Sequence, residues 1–168
     1  MSSAEPGITI ERYDRSASLK ELEPLWTALR EHHGEVAPQH GPTRERWDSW
    51  ELRHSTYTGW LNDKPGSFLL IARDGDAAVG YAMVTTGGPL ATWPGDGDGC
   101  LQTLSVHPAV RGRGVGSLLI TAARAGLAEQ GIAKMTIDVV AQNEDALRFY
   151  RRHGFGDFVV SLRGATAP

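Results

Sequence analysis

The chain has 168 residues, 40% of them hydrophobic and 22% charged, which is typical of one globular domain with its own core. Its formal net charge of -3 gives no general attraction to nucleic acid or to an anionic membrane surface. The single cysteine excludes a disulfide within the chain, and no cysteine–histidine cluster indicates a metal site.

The start of the chain lacks the basic residues and apolar core of a signal peptide, and its apolar runs are shorter than a membrane span. We therefore expect a cytoplasmic protein that binds neither membrane nor nucleic acid. Arginine outnumbers lysine 14 to 3, which favours a bacterial genome rich in G and C.

The first third of the chain predicts one short strand and two helices. Residues 8–13 read as the strand, and Ser18 begins a capping-box pattern that opens the first helix. Gly34 is expected to end that helix, and Thr43 is expected to cap the second. The second helix has a broad apolar face of Trp47, Trp50, Tyr57, Trp60 and Leu61.

The middle of the chain predicts a β-hairpin and a further strand. Two runs rich in strand-forming residues, 67–73 and 77–85, flank the turn sequence Asp-Gly-Asp at 74–76. A glycine-rich surface loop follows at 87–99. Residues 100–108 then read as a strand that ends at a proline.

The last third alternates helices with strands. Residues 115–130 predict a helix, and 133–141 a strand. Residues 143–153 predict a short helix, and 155–163 a closing strand. Strands that alternate with helices in this way indicate an α/β layer in which helices cover a sheet.

A glycine-rich turn, residues 111–116, lies between a predicted strand and a predicted helix. The first N–H groups of a helix have no internal acceptor and carry the positive end of its dipole, so they bind anions. Arg111 and Arg113 add full positive charges. The turn lacks the lysine of the Walker pattern and the GxGxxG spacing of a dinucleotide site. It matches the pattern R-x-x-G-x-G through Arg111, Gly114 and Gly116.

Three stretches in this order resemble the GNAT superfamily of N-acetyltransferases. The stretch "LSVHPAVRGRGVGSLLI" is similar to its acyl-CoA motif, and "VVAQNEDALRFYRRHGF" to its second motif. The stretch "LLIARDGDAAVGYAMV" is similar to the hairpin that precedes both. Together they cover residues 67–158, a little over half of the chain.

The resemblance implies one GNAT-like α/β domain over residues 1–168. Its sheet is expected to be mixed and mostly antiparallel, with six to seven strands and helices on both faces. Residues 67–158 would form the acyl-CoA-binding core, and 18–62 the helices on the acceptor side. The strand at 100–107 is expected to splay from the strand at 134–141. A homodimer is common in such folds, although the residues themselves do not indicate one.

The resemblance also implies acetyl-CoA as co-substrate, with no metal. The main chain of Leu104, Ser105 and Val106 is expected to bind the pantetheine arm. The pyrophosphate would lie on the turn formed by Arg111, Gly112, Arg113, Gly114, Val115, Gly116 and Ser117. Asn143 is expected either to cap the last helix, to contact the pantetheine or substrate, or to do both.

The implied reaction transfers acetyl to a primary amine of a small molecule or peptide. Tyr150 matches the tyrosine acid of the family, although its spacing also suits a core aromatic residue. The general base stays open among Asp98, Glu35 and Asp138, or a chain of waters.

Two other functions compete with acetyl transfer. A non-catalytic acyl-CoA-binding or sensing module would keep the glycine turn and would need no acid. A nucleotide-binding protein could use the same turn, but the Walker lysine and an acidic ribose-binding residue are missing from the sequence.

Overall fold

Five strands form one sheet in the computed structural model, which describes residues 7–166. The strands lie side by side in chain order; the first three pairs are antiparallel and the last is parallel. The strands are β1 (Thr9–Arg12), β2 (Phe68–Asp74), β3 (Ala77–Thr86), β4 (Gly99–Val106) and β5 (Met135–Thr136). The helices are α1 (Glu23–Val36), α2 (Arg46–Asp63), α3 (Val115–Ala128) and α4 (Glu144–Arg152).

This arrangement confirms the predicted α/β fold, although the described sheet has five strands and not six or seven. The strands β2 and β3 are buried along most of their length because helices cover both faces of the sheet. Gly75 turns the hairpin between them with φ of 60°, as the sequence Asp-Gly-Asp predicts.

Two hydrophobic clusters lie on opposite faces of the sheet. One packs α3 and α4 against the sheet, and the other packs α1 and α2. Each helix therefore buries one apolar stripe, which the helical spacing in the sequence predicts. The helical members are Val115, Leu119, Ile120, Ala123, Leu127 and Tyr150 in the first cluster, and Leu25, Trp26, Trp50, Tyr57 and Leu61 in the second.

The expected end of α1 and start of α2 are both wrong. Gly34 continues α1 in ordinary helical conformation, and the helix ends two residues later. A Cβ atom at Gly34 would lie 2.8 Å from Cγ2 of Thr43. Glycine is therefore needed there for the close approach of the following loop, and Thr43 packs on α1 while α2 begins at Arg46.

Trp47 does not share the buried face of α2. Its side chain is 62% exposed, whereas Trp50, Tyr57 and Leu61 are buried. Trp47 lies in the first turn of the helix, and the buried positions begin two residues later, at Ser49. The helical spacing in the sequence therefore predicts the buried face of α2 correctly, but it places the start of that face one turn too early.

The strands β4 and β5 separate almost at once, which confirms the predicted splay. Only Gly99 with Met135 and Cys100 with Thr136 are paired. From Leu101 to Val106, the edge of β4 on that side has no strand beside it in the described part of the chain. The predicted strand over 133–141 is therefore reduced to two ladder residues.

The predicted strand over 155–163 is wrong, since no residue of this segment belongs to a described strand. Val159 and Leu162 are 72% and 91% exposed. Residues that favour strands form one only where a neighbouring strand offers hydrogen bonds and a packed face. The preceding strand, β5, is itself paired over just two residues and offers little of either. Two residues of the segment have aromatic contacts: Phe155 packs against Tyr150, and Phe158 lies against the ring of Trp93, 5.0 Å away in the glycine-rich loop.

Candidate active site

Two glycines give the turn between β4 and α3 a backbone conformation that other residues rarely adopt. Gly112 and Gly114 both have φ of 81°. An L side chain in this left-handed region costs about 1–2 kcal/mol. The position that a Cβ atom would take is in open space at both residues. The turn therefore leaves its main chain uncovered.

The main-chain amides at the start of α3 are available to an anion. The first hydrogen bond of the helix runs from the Leu118 N–H to the Gly114 carbonyl at 3.0 Å. The N–H groups of Val115, Gly116 and Ser117 precede it and have no acceptor within the helix. Free amides on an uncovered backbone fit a diphosphate, so this turn is compatible with the coenzyme that the resemblance implies.

The two arginines of the turn have different partners. Arg113 forms an ion pair with Asp74 at 2.8 Å, which ties the turn to the β2–β3 hairpin. Arg111 donates from Nε to the Val106 carbonyl at 3.3 Å. The terminal nitrogens of Arg111 have no partner among the described residues, so of the two arginines it is the one free to bind an anion.

Gly116 serves packing between helices. A Cβ atom at this position would lie 3.0 Å from Cζ of Phe149. The ring of Phe149 therefore rests directly on the first turn of α3, and the missing side chain allows α4 to approach. The R-x-x-G-x-G pattern does not reveal this contact, and a part of Gly116 in phosphate binding stays a prediction.

The open edge of β4 presents the main chain of two residues. The His107 N–H donates to the Val79 carbonyl at 2.8 Å, so the amide of His107 faces β3. Because amides alternate along an antiparallel strand, Ser105 also faces β3, whereas Leu104 and Val106 face the opening. The Ser105 side chain also points away from the opening, since its hydroxyl donates to the Leu25 carbonyl of α1 at 2.9 Å.

Tyr150 lies in α4 on the same face of the sheet as α3. Its side chain is 8% exposed and packs edge-on against Phe149 and Phe155. Burial raises the pKa of the phenol above its usual value near 10. The hydroxyl therefore stays protonated at neutral pH, as a proton donor requires.

Asn143 caps α4, which confirms one of its two predicted roles. Its Oδ1 accepts the Ala146 N–H at 3.2 Å, and the side chain is buried. His32 Nε2, on α1, lies 3.5 Å from the same oxygen. Asn143 thus joins α1 to α4, and its contact with the coenzyme stays a prediction.

A family model described as the acetyltransferase (GNAT) family matches residues 25–155. This chain belongs to the GNAT acetyltransferase family.

Curated relatives of this GNAT chain agree with that assignment. It is 30% identical over 127 residues to a mycothiol acetyltransferase of Rhodococcus erythropolis, covering 75% of this chain and 42% of the relative. It is 31% identical over 139 residues to a mycothiol acetyltransferase of Clavibacter sepedonicus, covering 82% and 41%. The chain therefore spans about two fifths of the length of these relatives.

Solved structures share the fold at low sequence identity. A Bacillus halodurans protein superposes with a TM-score of 0.77 at 20% identity, covering 94% of this chain and 99% of its own. An aminoglycoside N-acetyltransferase in complex with CoA superposes with a TM-score of 0.65 at 18% identity over the full length of both chains. Together with the family match, these superpositions show that the fold is a GNAT fold.

The three candidate bases have different surroundings in this GNAT chain. The carboxylate of Glu35 lies 4.0 Å from His32 Nδ1, and is therefore linked through His32 to Asn143. Asp98 is half-buried in the loop before β4, and Asp138 is exposed after β5. No spacing in the sequence indicates His32, because the adjacent His32 and His33 do not face the same way on a helix.

Cys100 lies in the last residue pair before β4 and β5 separate. Burial, followed by the nearby negative charge of Asp138, raises the pKa of its thiol. A thiol that stays protonated is a poor nucleophile, so Cys100 is not suited to carry the acetyl group.

Buried hydroxyls hold β4 from the face opposite α3. The Tyr57 hydroxyl of α2 donates to Thr103 Oγ1 at 2.6 Å and lies 3.1 Å from the Tyr81 hydroxyl of β3. Tyr57 and Tyr81 are fully buried. The helices α1 and α2 are therefore bonded to the strand that carries the open edge, and sequence analysis missed this network.

Burial raises the pKa of both tyrosines, and of Tyr81 well above 10. Above pH 10 the unfolded chain releases these protons while the folded chain retains them, so stability present below pH 10 is lost as the pH rises. Each tyrosine contributes a slope of about 1.4 kcal/mol per pH unit. We expect urea unfolding between pH 8 and 11 to show a smaller loss of stability in Tyr81→Phe than in wild type. Equal losses in the two proteins would contradict this.

Within residues 7–166, no helix combines the length and the apolar character needed to cross a membrane. The same residues form no group of three or more histidine, cysteine or acidic side chains that could hold a metal ion.

Proposed function

We propose that this chain transfers the acetyl group of acetyl-CoA to a primary amine by direct attack. The observation that carries the proposal is the continuity of two open main-chain surfaces. The unpaired edge of β4 runs from Leu101 to Val106 and leads directly into the uncovered turn at 112–117. An extended molecule with amides along its length and a diphosphate at its end complements both surfaces.

Each surface binds a different part of the coenzyme. The amides of Gly112 and of residues 114–117, together with the free terminal nitrogens of Arg111, hold the pyrophosphate, whereas the Arg113 N–H donates to the Val110 carbonyl. The outward N–H and C=O groups of Leu104 and the outward N–H of Val106 pair with the amides of the pantetheine arm, as an added strand would, while the Val106 carbonyl accepts from Arg111. The second hydrogen-bonding group of the Asn143 amide contacts the arm from the opposite wall.

The chemical step then follows from the groups around the thioester. The amine nitrogen bonds to the carbonyl carbon, and the carbon–sulfur bond breaks. A main-chain N–H near Val106 stabilises the negative charge that develops on the carbonyl oxygen. Tyr150 donates its proton to the departing sulfur, and the proton lost by the amine passes to one of the candidate carboxylates or to water.

The acceptor is a small-molecule amine or a peptide amine that enters from the α1–α2 side. A surface depression of about 640 Å³ at the end of α1 is lined by Glu31, Glu35 and Glu45 together with Arg30. The surplus of carboxylates attracts a cationic amine. Because two of the curated relatives are named mycothiol acetyltransferases, an amine related to mycothiol is the first acceptor that we would test.

One experiment tests this function in two steps. The melting temperature is measured with CoA, acetyl-CoA, ATP and NAD, and thiol release from acetyl-CoA is then followed with a panel of amines. We expect CoA and acetyl-CoA to raise the melting temperature by about 5 °C at a hundred times the Kd, and at least one amine to release thiol. Stabilisation by ATP or NAD alone would instead support a nucleotide-binding protein.

A non-catalytic acyl-CoA-binding module remains the competing function. It predicts the same stabilisation by CoA but no thiol release with any acceptor. The exposure of Glu35 and Asp138 favours this alternative, because neither carboxylate is enclosed in a site that would hold it against a bound amine. The cytoplasmic location expected from the sequence and the homodimer expected from the resemblance both stay predictions. Sedimentation at equilibrium would test the homodimer.

A further inference from the structure

The side chain of His153, at the end of α4, bonds to the first turn of α3. Its Nε2 lies 2.9 Å from the hydroxyl oxygen of Ser117. Its Nδ1 lies 2.8 Å from the carbonyl oxygen of Phe149. Ser117 supplies one of the amides that we propose for the pyrophosphate, so His153 contacts a residue of the proposed coenzyme site.

The contact with Phe149 fixes which ring nitrogen carries a proton. The His153 N–H donates to the Tyr150 carbonyl and not to Phe149, so the Phe149 carbonyl has lost its usual partner at the helix end. A carbonyl oxygen only accepts hydrogen bonds, so Nδ1 must be the donor. In the neutral ring, Nε2 is then an acceptor, and the Ser117 hydroxyl must donate to it.

The neutral ring therefore leaves Ser117 poorly prepared for an anion. The single hydroxyl proton of Ser117 then points to Nε2 of His153. Only the lone pairs of the Ser117 oxygen face a ligand on the turn, and lone pairs cannot donate a hydrogen bond to an anion. When the ring is protonated, Nε2–H donates to the Ser117 oxygen, and the hydroxyl proton becomes free to bond to a phosphate oxygen. The imidazolium also adds a positive charge behind the helix start.

The charged groups around His153 are mostly arginines. Arg124 of α3 donates to the His153 carbonyl, while Arg151 and Arg152 of α4 are exposed neighbours. Arg151 pairs with Asp157 at 3.2 Å, in the segment that follows α4. The charged groups on the glycine-rich turn are Arg111 and the Arg113–Asp74 ion pair. Arginine keeps its charge at all ordinary pH values, and histidine is the side-chain type that changes charge between pH 5 and 8.

We propose that His153 is a positioning residue of the coenzyme site, which frees the Ser117 hydroxyl to bind the diphosphate when the imidazole takes up a proton. This inference rests on the proposed function, because it assumes that the coenzyme occupies the turn. Proton uptake and coenzyme binding then favour each other reciprocally.

The affinity for CoA is measured by calorimetry from pH 6 to pH 8.5 in wild type, His153→Gln and Ser117→Ala. We expect wild-type affinity to rise by about threefold to tenfold more than that of either variant as the pH falls. Ionisation of the phosphates of CoA affects all three proteins equally and cancels in the comparison. The exposed histidine variant His40→Gln is the control, and it should behave as wild type.

The outcomes separate this inference from the function on which it rests. If CoA binds wild type but His153→Gln has the same pH dependence, His153 does not act on the site and the inference is wrong. If Ser117→Ala keeps the wild-type pH dependence, the hydroxyl is not the link and the inference is equally wrong. If CoA binds none of the proteins, the proposed function itself falls.

Discussion

We expect Gly114→Trp to lose all thermal stabilisation by CoA while still folding. A tryptophan at φ of 81° is strained, and its side chain would occupy the open space through which a diphosphate reaches the amides of α3. Wild type should gain about 2.7 kcal/mol of stability at a CoA concentration of a hundred times the Kd. The variant should gain none of it, measured as the difference in melting temperature with and without CoA.

The chain offers a matched control at the other end of the same helix. Gly131 has φ of 75°, and the position of its Cβ is also in open space. Gly131→Trp therefore carries a similar backbone strain of about 1–2 kcal/mol but lies away from the turn. It should melt earlier than wild type and keep the full shift with CoA. If Gly114→Trp keeps that shift as well, the coenzyme does not bind at this turn.

Tyr150→Phe should lower turnover by about a hundredfold to ten-thousandfold, the usual contribution of a general acid. The phenol ring lies in the core between Phe149 and Phe155, so removal of the hydroxyl alone leaves the packing in place. The affinity for CoA should change little. Steady-state thiol release gives the turnover, and calorimetry with CoA gives the affinity.

Tyr13→Phe removes the same atom at a distant site and is the control for Tyr150→Phe. Its hydroxyl donates to the Ala17 carbonyl at 2.5 Å, before the first helix. Turnover of Tyr13→Phe should match that of wild type. Unchanged turnover in Tyr150→Phe would leave Tyr150 as a core residue and would remove it as the acid.

Sequence patterns predicted the parts of this fold that depend on local chemistry. The Asp-Gly-Asp hairpin, the strand that becomes β4 and the glycines of the phosphate turn depend on residues within a few positions of each other. The same holds for Asn143, which caps α4 through the N–H of Ala146, three residues later. Such features need no knowledge of the rest of the chain.

The errors concern contacts between residues far apart in sequence. The continuation of α1 through Gly34 depends on the packing of Thr43, and Gly116 is matched to Phe149. The segment 155–163 has the composition of a strand but lacks a neighbouring strand. Partners such as His153 for Ser117 become visible only when two helices meet. A single sequence carries no periodic signal for any of these pairs.

The bare edge of β4 has a consequence for the free protein. The outward main-chain groups between Leu101 and Val106 have no neighbouring strand in the described part of the chain, and such an edge is a template on which another polypeptide can pair; natural sheets usually protect their edges. Under the proposed function, the bound coenzyme pairs with this edge and covers it. We therefore expect the chain to self-associate most readily when its acyl donor is scarce, and purification with the coenzyme present should suppress aggregates.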